Sequence, residues 1–168
     1  MVKEYSLKQL SVTDGKDYYN MLRRIGKNEN DFTNPVHDMT FEEFQNWLKQ
    51  QDEWSVGDNL PQGYVPQFCY WLVVNEVPAG FGKIRTKLTE KSRLEGGNIG
   101  YAIDPQARGN GLGSKLLELL LLKAKELNID KPLVTVKKYN YASKRVAEHN
   151  GGVLIKETDT WWYYEMYI

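Results

Sequence analysis

The chain is short of cysteine, histidine, net charge and long apolar runs, and each shortage closes off a class of function. Cys69 is the single cysteine in 168 residues. It has no partner for an internal disulfide and cannot anchor a metal cluster alone. Set in an apolar run, it reads as a buried structural thiol. The two histidines, His37 and His149, are too few and too scattered for a typical zinc site, so no metal is expected. Lys plus Arg and Asp plus Glu number 22 each, leaving a formal charge of zero. A balanced chain lacks the basic footprint that DNA or RNA binding wants, so no nucleic-acid partner is expected. The longest apolar stretch, 116–122, is interrupted by Glu118 and is far too short to span a bilayer, so no membrane partner is expected. Residues 1–10 are charged and strand-like rather than leader-like, and a cytoplasmic protein is expected.

Glycine, in contrast, is placed with a pattern. Gln106-Ala107-Arg108-Gly109-Asn110-Gly111-Leu112-Gly113 lies between a strand-like run, Ile99 to Ile103, and a Leu-rich segment from Ser114 to Leu127 with seven leucines and no Gly or Pro. Glycines at every second position let the backbone turn tightly and approach a ligand without a Cβ in the way. A helix starting after them points its unpaired N–H groups and the positive end of its dipole into the turn. Strand, glycine loop and helix N-terminus form an anion cradle, most often for a phosphate. The nucleoside-triphosphate loop requires Lys directly after its last Gly, but Ser114 follows Gly113. The dinucleotide fingerprint G-x-G-x-x-G is not met by G-x-G-x-G-S. A bare strand-to-helix turn needs only two of the glycines.

The remaining pattern is [QR]-x-x-G-x-[GA], met by Gln106, Gly109 and Gly111. Around it stand Ile103-Asp104-Pro105 before the loop, Leu133-Val134-Thr135-Val136 after the helix, Asn140 opening the next helix with Ser143 three residues on, and the turn Asn150-Gly151-Gly152. On these residues, over 96–154, the chain resembles the GNAT superfamily, the acyl-CoA-dependent N-acetyltransferases. Upstream, Gly63-Tyr64-Val65-Pro66, Tyr70-Trp71-Leu72-Val73 and Gly96-Gly97-Asn98-Ile99-Gly100-Tyr101 resemble a branch of predicted GNAT acetyltransferases of unassigned substrate.

Read along its length, the chain predicts a strand over 4–11, a helix capped by Thr13-Asp14 and running to about Arg24, and a loop over 26–37. Thr40-Phe41-Glu42-Glu43 is a capping box opening a second helix, with Phe41, Phe44, Trp47 and Leu48 on one face. Gly57, Pro61, Gly63 and Pro66 mark a second loop. Strands are predicted at 68–74, 79–85, 97–104, 133–137, 153–157 and 161–167, with helices at 110–127 and 140–150. The order implies an α/β chain with a mixed sheet and one right-handed β-α-β crossover. The resemblance implies the same: one GNAT-like domain over 1–168, with a central mixed sheet of about seven strands flanked by about four helices. In it, 1–70 supplies the acceptor side and 96–154 the acyl-CoA-binding core.

The resemblance further implies acetyl-CoA as cosubstrate and an N-acetyltransferase reaction. The strands at 97–104 and 133–137 splay apart, and backbone at Ala102 and Ile103 pairs with the pantetheine arm. Gln106, Arg108, Gly109, Asn110, Gly111, Leu112, Gly113 and Ser114 form the pyrophosphate loop. Asn140 and Ser143 face the arm, although Asn140 is equally a plain helix cap. Direct attack by an amine on the thioester needs a base, often through water, and an acid for the departing thiolate. Many family members carry a Tyr seven residues after the helix-opening Asn, and here that position is Ala147. Either the thiolate leaves without that acid, or another residue protonates it. Glu95 is the nearest carboxylate for a base. Asn98 is a candidate for holding a water, and Tyr101 reads as packing.

The acceptor pocket is expected from 26–70, with Trp54 and Tyr64 as wall candidates, and the acidic residues of that segment suit a cationic amine. The acceptor is a small amine or a protein N-terminus. The run Trp161-Trp162-Tyr163-Tyr164 is partly strand core and a candidate homodimer edge. Two other functions compete: an acyl-CoA-binding sensor without turnover, and a nucleotide-binding module using the loop for another phosphate.

Overall fold

The computed structural model describes residues 2–168. In chain order the elements are β1 (Tyr5–Gln9), α1 (Lys16–Arg24), β2 (Asn28–Glu29), β3 (Phe32–Thr33), a 3-10 turn (Pro35–Asp38), α2 (Phe41–Ser55), β4 (Gln67–Val74) and β5 (Val77–Arg85). They continue with α3 (Glu90–Leu94), β6 (Ile99–Ile103), α4 (Leu112–Glu126), β7 (Leu133–Lys137), α5 (Tyr141–His149), β8 (Val153–Glu157) and β9 (Trp161–Glu165).

Alternation along β4 sets the layers, because successive side chains of a strand point to opposite faces. Cys69 and Trp71 join the core built with α1 and α2, containing Leu22, Ile25, Phe44, Leu48 and Phe81. Tyr70 and Leu72 join the core under α4, containing Ile84, Leu116, Leu117 and Leu120. Gly82 makes the second packing possible, since a Cβ there would stand 2.6 Å from a Leu120 methyl. The β4–β5 hairpin turns at Asn75 and Glu76, both at positive φ (48° and 68°), the conformation of a two-residue turn matched to strand twist.

The expected single mixed sheet is instead two antiparallel sheets. One has the order β1-β4-β5-β6 and the other β7-β9-β8, and no ladder joins β6 to β7. They are pinned together at one end by Asn98. Its N–H donates to the Leu133 carbonyl (2.8 Å) and its Oδ1 accepts from the Leu133 N–H (2.8 Å). Its Nδ2 donates to the Arg85 carbonyl on β5 (3.1 Å). Gly97, at φ +58°, brings the chain so close that a Cβ would lie 2.3 Å from the Leu133 carbonyl oxygen. Beyond that pin the two strands separate, as the resemblance implies.

Other expectations shift for local reasons. Asp14 does not cap α1, whose N-cap is Gly15 without a side-chain bond. Asp14 is 6% exposed and accepts from the Ser11 N–H (2.7 Å), the Trp71 indole (2.8 Å) and Lys8. The 26–37 loop contains the β2–β3 hairpin, turning at Asn30 and Asp31 at positive φ, and the 3-10 turn. Helix α3 was not anticipated; Thr89 and Ser92 cap it reciprocally. The Thr40–Glu43 capping box of α2 is present, with bonds of 3.2 and 2.7 Å. The homodimer edge was misplaced: β9 is the central strand of its sheet, so its edges are already paired, and β8 is an outer strand. Among the described residues no helix is long and apolar enough to cross a membrane.

Candidate active site

Where β6 and β7 part, a cleft of about 680 Å³ opens. Its walls come from Tyr101 to Ile103 on β6, the glycine loop, the first turn of α4, one face of α5, and Glu29 and Asn30 of the small hairpin. Gly109 and Gly111 adopt φ of +83° and +73°, and a Cβ at either would meet nothing within 4 Å. Here the glycines serve conformation, and the space beside them is open. Gly111 is the N-cap of α4 and no side chain caps this helix. By contrast α2, α3 and α5 are capped by Thr40, Thr89 and Asn140. The first-turn N–H groups of a fifteen-residue helix therefore face the cleft without a capping side chain. That arrangement fits a bound diphosphate.

Ten of the twelve residues read as cofactor-binding line this cleft: Ala102, Ile103, Arg108, Gly109, Gly111, Leu112, Gly113, Ser114, Asn140 and Ser143. Gln106 and Asn110 do not. Gln106 is exposed on the short turn after β6, where its N–H bonds to Asp104 Oδ1 (3.1 Å). Asn110 turns its amide back to the carbonyls of Ala107 and Arg108 (3.1 and 3.3 Å), shaping the loop from within. Arg108 pairs with Glu29 and donates to the Ile103 carbonyl (3.2 Å). The hydrogen bond from Arg108 holds the Glu29 carboxyl below the usual range, against partial burial. Asn140 spends both ends of its amide on the fold: Oδ1 caps α5 at the Ser143 N–H (3.2 Å), and Nδ2 donates to the Asn30 carbonyl (3.3 Å).

A second hollow of about 450 Å³ lies against the first and shares Asn30, Tyr101, Asn140 and Ser143 with it. A third of about 420 Å³, reaching under α2, shares Tyr64, Lys83, Arg85, Lys91 and Glu95 with the second. Trp54 and Tyr64, taken from the sequence as wall candidates, meet edge to face at 5.3 Å, and both line the third hollow. Glu95 is exposed and lines both the second and the third hollow. Asn98 lines none of the three. It is 4% exposed, with both ends of its amide bonded, to Leu133 and Arg85, so it is a clamp between sheets set away from the hollows.

Two features escaped the sequence reading. Tyr101 is more than packing: its hydroxyl sits 2.9 Å from Ser143 Oγ, at the wall common to the first two hollows. Burial pushes the phenol up to about 12, the Ser143 bond working against it, so it keeps its proton at neutral pH. Ser143 lies one helical turn before Ala147, which is fully buried in the core. A strand phenol thus reaches the helix one turn from where the family's helix phenol is missing. The second feature is the pair Lys83 and Arg85 on β5, lining the second and third hollows. Two cations at strand spacing in an apolar run were the available signal. The acidic character read from 26–70 does not reach these hollows intact. Asp38 pairs with Lys27, and Asp31 accepts from the Lys137 N–H and the Tyr139 hydroxyl, both at 3.0 Å. Among the described residues no group of three or more metal-ligating side chains forms.

A family model for the acetyltransferase (GNAT) domain matches residues 6–153. Among solved structures, an acetyltransferase of the GNAT family from Streptococcus pneumoniae aligns with a TM-score of 0.65 at 20% identity, over 98% of this chain and 99% of that one. The N-acetyltransferase PseH of Campylobacter jejuni, in complex with acetyl coenzyme A, aligns at 0.58 and 15% identity, over 98% and 99%. The microcin C7 self-immunity acetyltransferase MccE, in complex with acetyl-CoA and AMP, aligns at 0.71 and 12% identity, over 98% and 93%. At these identities the likeness establishes the fold. No curated protein matches the chain by sequence.

Proposed function

The chain belongs to the GNAT acetyltransferase family, and from that premise we propose that it transfers the acetyl group of acetyl-CoA to a primary amine, of a small molecule or a protein N-terminus. The uncapped N-terminus of α4, open to a cleft that meets the acceptor-side hollows at Tyr101 and Ser143, is the observation that carries this reading. Acetyl-CoA supplies the activated thioester. The N–H groups of Gly111, Leu112, Gly113 and Ser114 take its diphosphate, and its amide-bearing arm lies along β6 at Ala102 and Ile103, pairing with the outward-facing backbone of Tyr101 and Ile103 in place of the Arg108 bond to the Ile103 carbonyl. Within a single domain over 1–168, we assign 96–154 to the cofactor. We give the acceptor 1–70 together with Lys83, Arg85 and the 89–96 segment.

The chemistry asks the chain to hold two reactants in line and to move two protons. Glu95 accepts a proton from the incoming ammonium, through water, freeing the lone pair. As the new N–C bond forms and the C–S bond breaks, Tyr101 donates its proton to the sulfur, and the second proton lost by the nitrogen returns through water to the Tyr101 oxygen. Ser143 positions that hydroxyl. The products are an acetamide, the free thiol of coenzyme A and one proton released to solvent.

Calorimetric titration with acetyl-CoA tests the reading, alongside Ala142→Glu. Ala142 lines the cleft on the exposed first turn of α5. An acidic residue suits a helix N-terminus, so the variant keeps its fold while placing a negative charge in the wall of the cleft that takes the cofactor. Saturable binding at micromolar concentration, weakened in the variant, is expected. A folded protein that does not bind acetyl-CoA overturns the assignment.

A further inference from the structure

Lys83 and Arg85 occupy alternate positions on β5, so both face the side of the sheet that carries α1 and α2. Both line the second and third hollows, at the wall those hollows share. The ladder neighbours of Lys83 are Cys69 on β4 and Gly100 on β6. Neither offers a negative charge: Cys69 is a buried thiol pushed up to about 12 by burial, and Gly100 has no side chain. The stem of Lys83 lies over Gly100, where a Cβ would touch Lys83 Cε at 3.5 Å.

Among the described residues, Lys83 Nζ makes no hydrogen bond or ion pair with the protein. Arg85 spends only one guanidinium nitrogen, on the carbonyls of Gly96 and Gly97 (3.4 and 3.2 Å). No buried side-chain nitrogen or oxygen is left without a partner, so the Lys83 ammonium opens on the hollow and not on apolar protein. Burial, and then the nearby Arg85, pull Lys83 down to about 8. Burial pulls Arg85 down as well. Two part-buried cations side by side, with no carboxylate on either, are unfavourable unless something negative joins them. The other charges lining these hollows do not supply it: Lys91 adds a third cation, and Asp31 is committed to Lys137 and Tyr139. Glu95 forms no ion pair with them.

We infer that the acceptor is a small amine carrying its own carboxylate or phosphate, and that Lys83, assisted by Arg85, holds that anion while the amine reaches the Tyr101–Ser143 junction. The inference rests on the acetyltransferase reading and narrows it. It adds an anion to the cationic amine expected from the acidic 26–70 segment. Hollows of this size suit a small ligand, and the charge-assisted bond to an anion is among the stronger polar contacts a site can make. The acceptor's ammonium and anion stay apart in such a site, one at the cleft junction and the other at β5.

The test uses matched amines differing only in the anion, ethanolamine against ethanolamine phosphate and propylamine against β-alanine. Each is titrated by NMR into the full-length protein saturated with acetyl-CoA, with acetamide formation followed in parallel. The anionic member of each pair is expected to saturate at a concentration lower by on the order of 10- to 100-fold, the worth of a hydrogen bond between charged groups. It should shift the amide signals of Gly82 and Gly100. Lys83→Gln, checked for folding by its acetyl-CoA affinity, should erase the preference. The two pairs separate phosphate from carboxylate as the anion held. Neutral amines that bind equally well, a preference that survives Lys83→Gln, or no saturable binding by any of the four overturns the inference. If acetyl-CoA binds under those outcomes, the acetyltransferase reading stands and only the acceptor class falls. If acetyl-CoA itself does not bind, the fault lies with that reading.

Discussion

Tyr101 and Lys83 sit on neighbouring strands, point to opposite faces of the sheet, and divide the work at the free edge of β6. For Tyr101 the relevant chemistry is a neutral phenol at the junction of two hollows, bonded to Ser143. Tyr101→Phe keeps the ring in the core and removes only the proton donor. Acetyl-CoA affinity should be unchanged while kcat falls about 100-fold, at the lower end of what a positioned acid supplies. Steady-state kinetics beside calorimetry check this, and an unchanged kcat would remove Tyr101 from the mechanism. Lys83 makes a different prediction, on stability. Its ordinary value is 10.5 and the folded protein holds it at about 8. Between those pH values the unfolded chain binds the extra proton, so this residue's contribution to stability rises with pH. Below pH 8 both states are protonated and the cost of burial is present in full. Lys83→Met should therefore be more stable than the parent by on the order of 2 kcal/mol at pH 7. The gap should close as pH approaches 10.5. Tyr70 and Tyr101, pushed up by burial, are common to both proteins and cancel in the difference, whereas Cys69, which Lys83 pulls down against burial, is pushed further up once Lys83 is gone and keeps its proton in the folded protein over this range. Urea unfolding at pH 7, 8.5 and 9.5 reads the gap, and a constant gap would contradict the account.

The helices show how unequally such features are written in the chain. The Thr40 box and the Asn140 cap were legible because a capping side chain and the N–H it serves lie three residues apart. The cleft between β6 and β7 was legible for the same reason: its glycine loop, helix start and Asn140 each have a local pattern. Asp14 misled, since the residue type is right for a cap but the Trp71 indole, 57 positions away, competes for it. The β2–β3 hairpin is two residues per strand, too short for any periodicity. Tyr101 and Lys83 were read as packing or passed over because their partners and the emptiness beside them are tertiary facts. The two caps give a contrast that tests an element's double duty. Thr40→Ala and Asn140→Ala each remove a cap and should each cost about 1 kcal/mol. For a chain of this length that is roughly 2–4 °C in Tm. Only Asn140→Ala also releases the hairpin at Asn30, which walls both clefts. It alone should lower kcat/KM.

At the scale of the whole molecule, the site exists because two antiparallel sheets meet at one end and separate at the other. The separated end leaves β6 a free edge, which the proposed function gives to the cofactor's arm, and the closed end keeps the separation from becoming a break. Asn98 and Gly97 form that closed end. The ion pair between Arg24 and Asp104 (2.6 Å) ties α1 to the turn that begins the glycine loop, bracing the two regions that the proposed function gives to acceptor and cofactor. Placing Asn98 in this frame replaces a catalytic role with an architectural one, and the two roles predict different damage. Asn98→Ala strands the Leu133 N–H and one bond to the Arg85 carbonyl in a buried setting. Each stranded group costs about 1–3 kcal/mol. The loss should fall chiefly on the sheet formed by β7, β9 and β8, which Leu133 ties to β6 alongside the bonds of Thr135 to Gly96 and of Lys137 to Asp31. Hydrogen exchange should accelerate at the amides of β7 and β9 more than at those of β4 and β5. At a temperature where the variant remains folded, kcat should stay close to that of the parent. A large fall in kcat with unaltered exchange would return Asn98 to the chemistry.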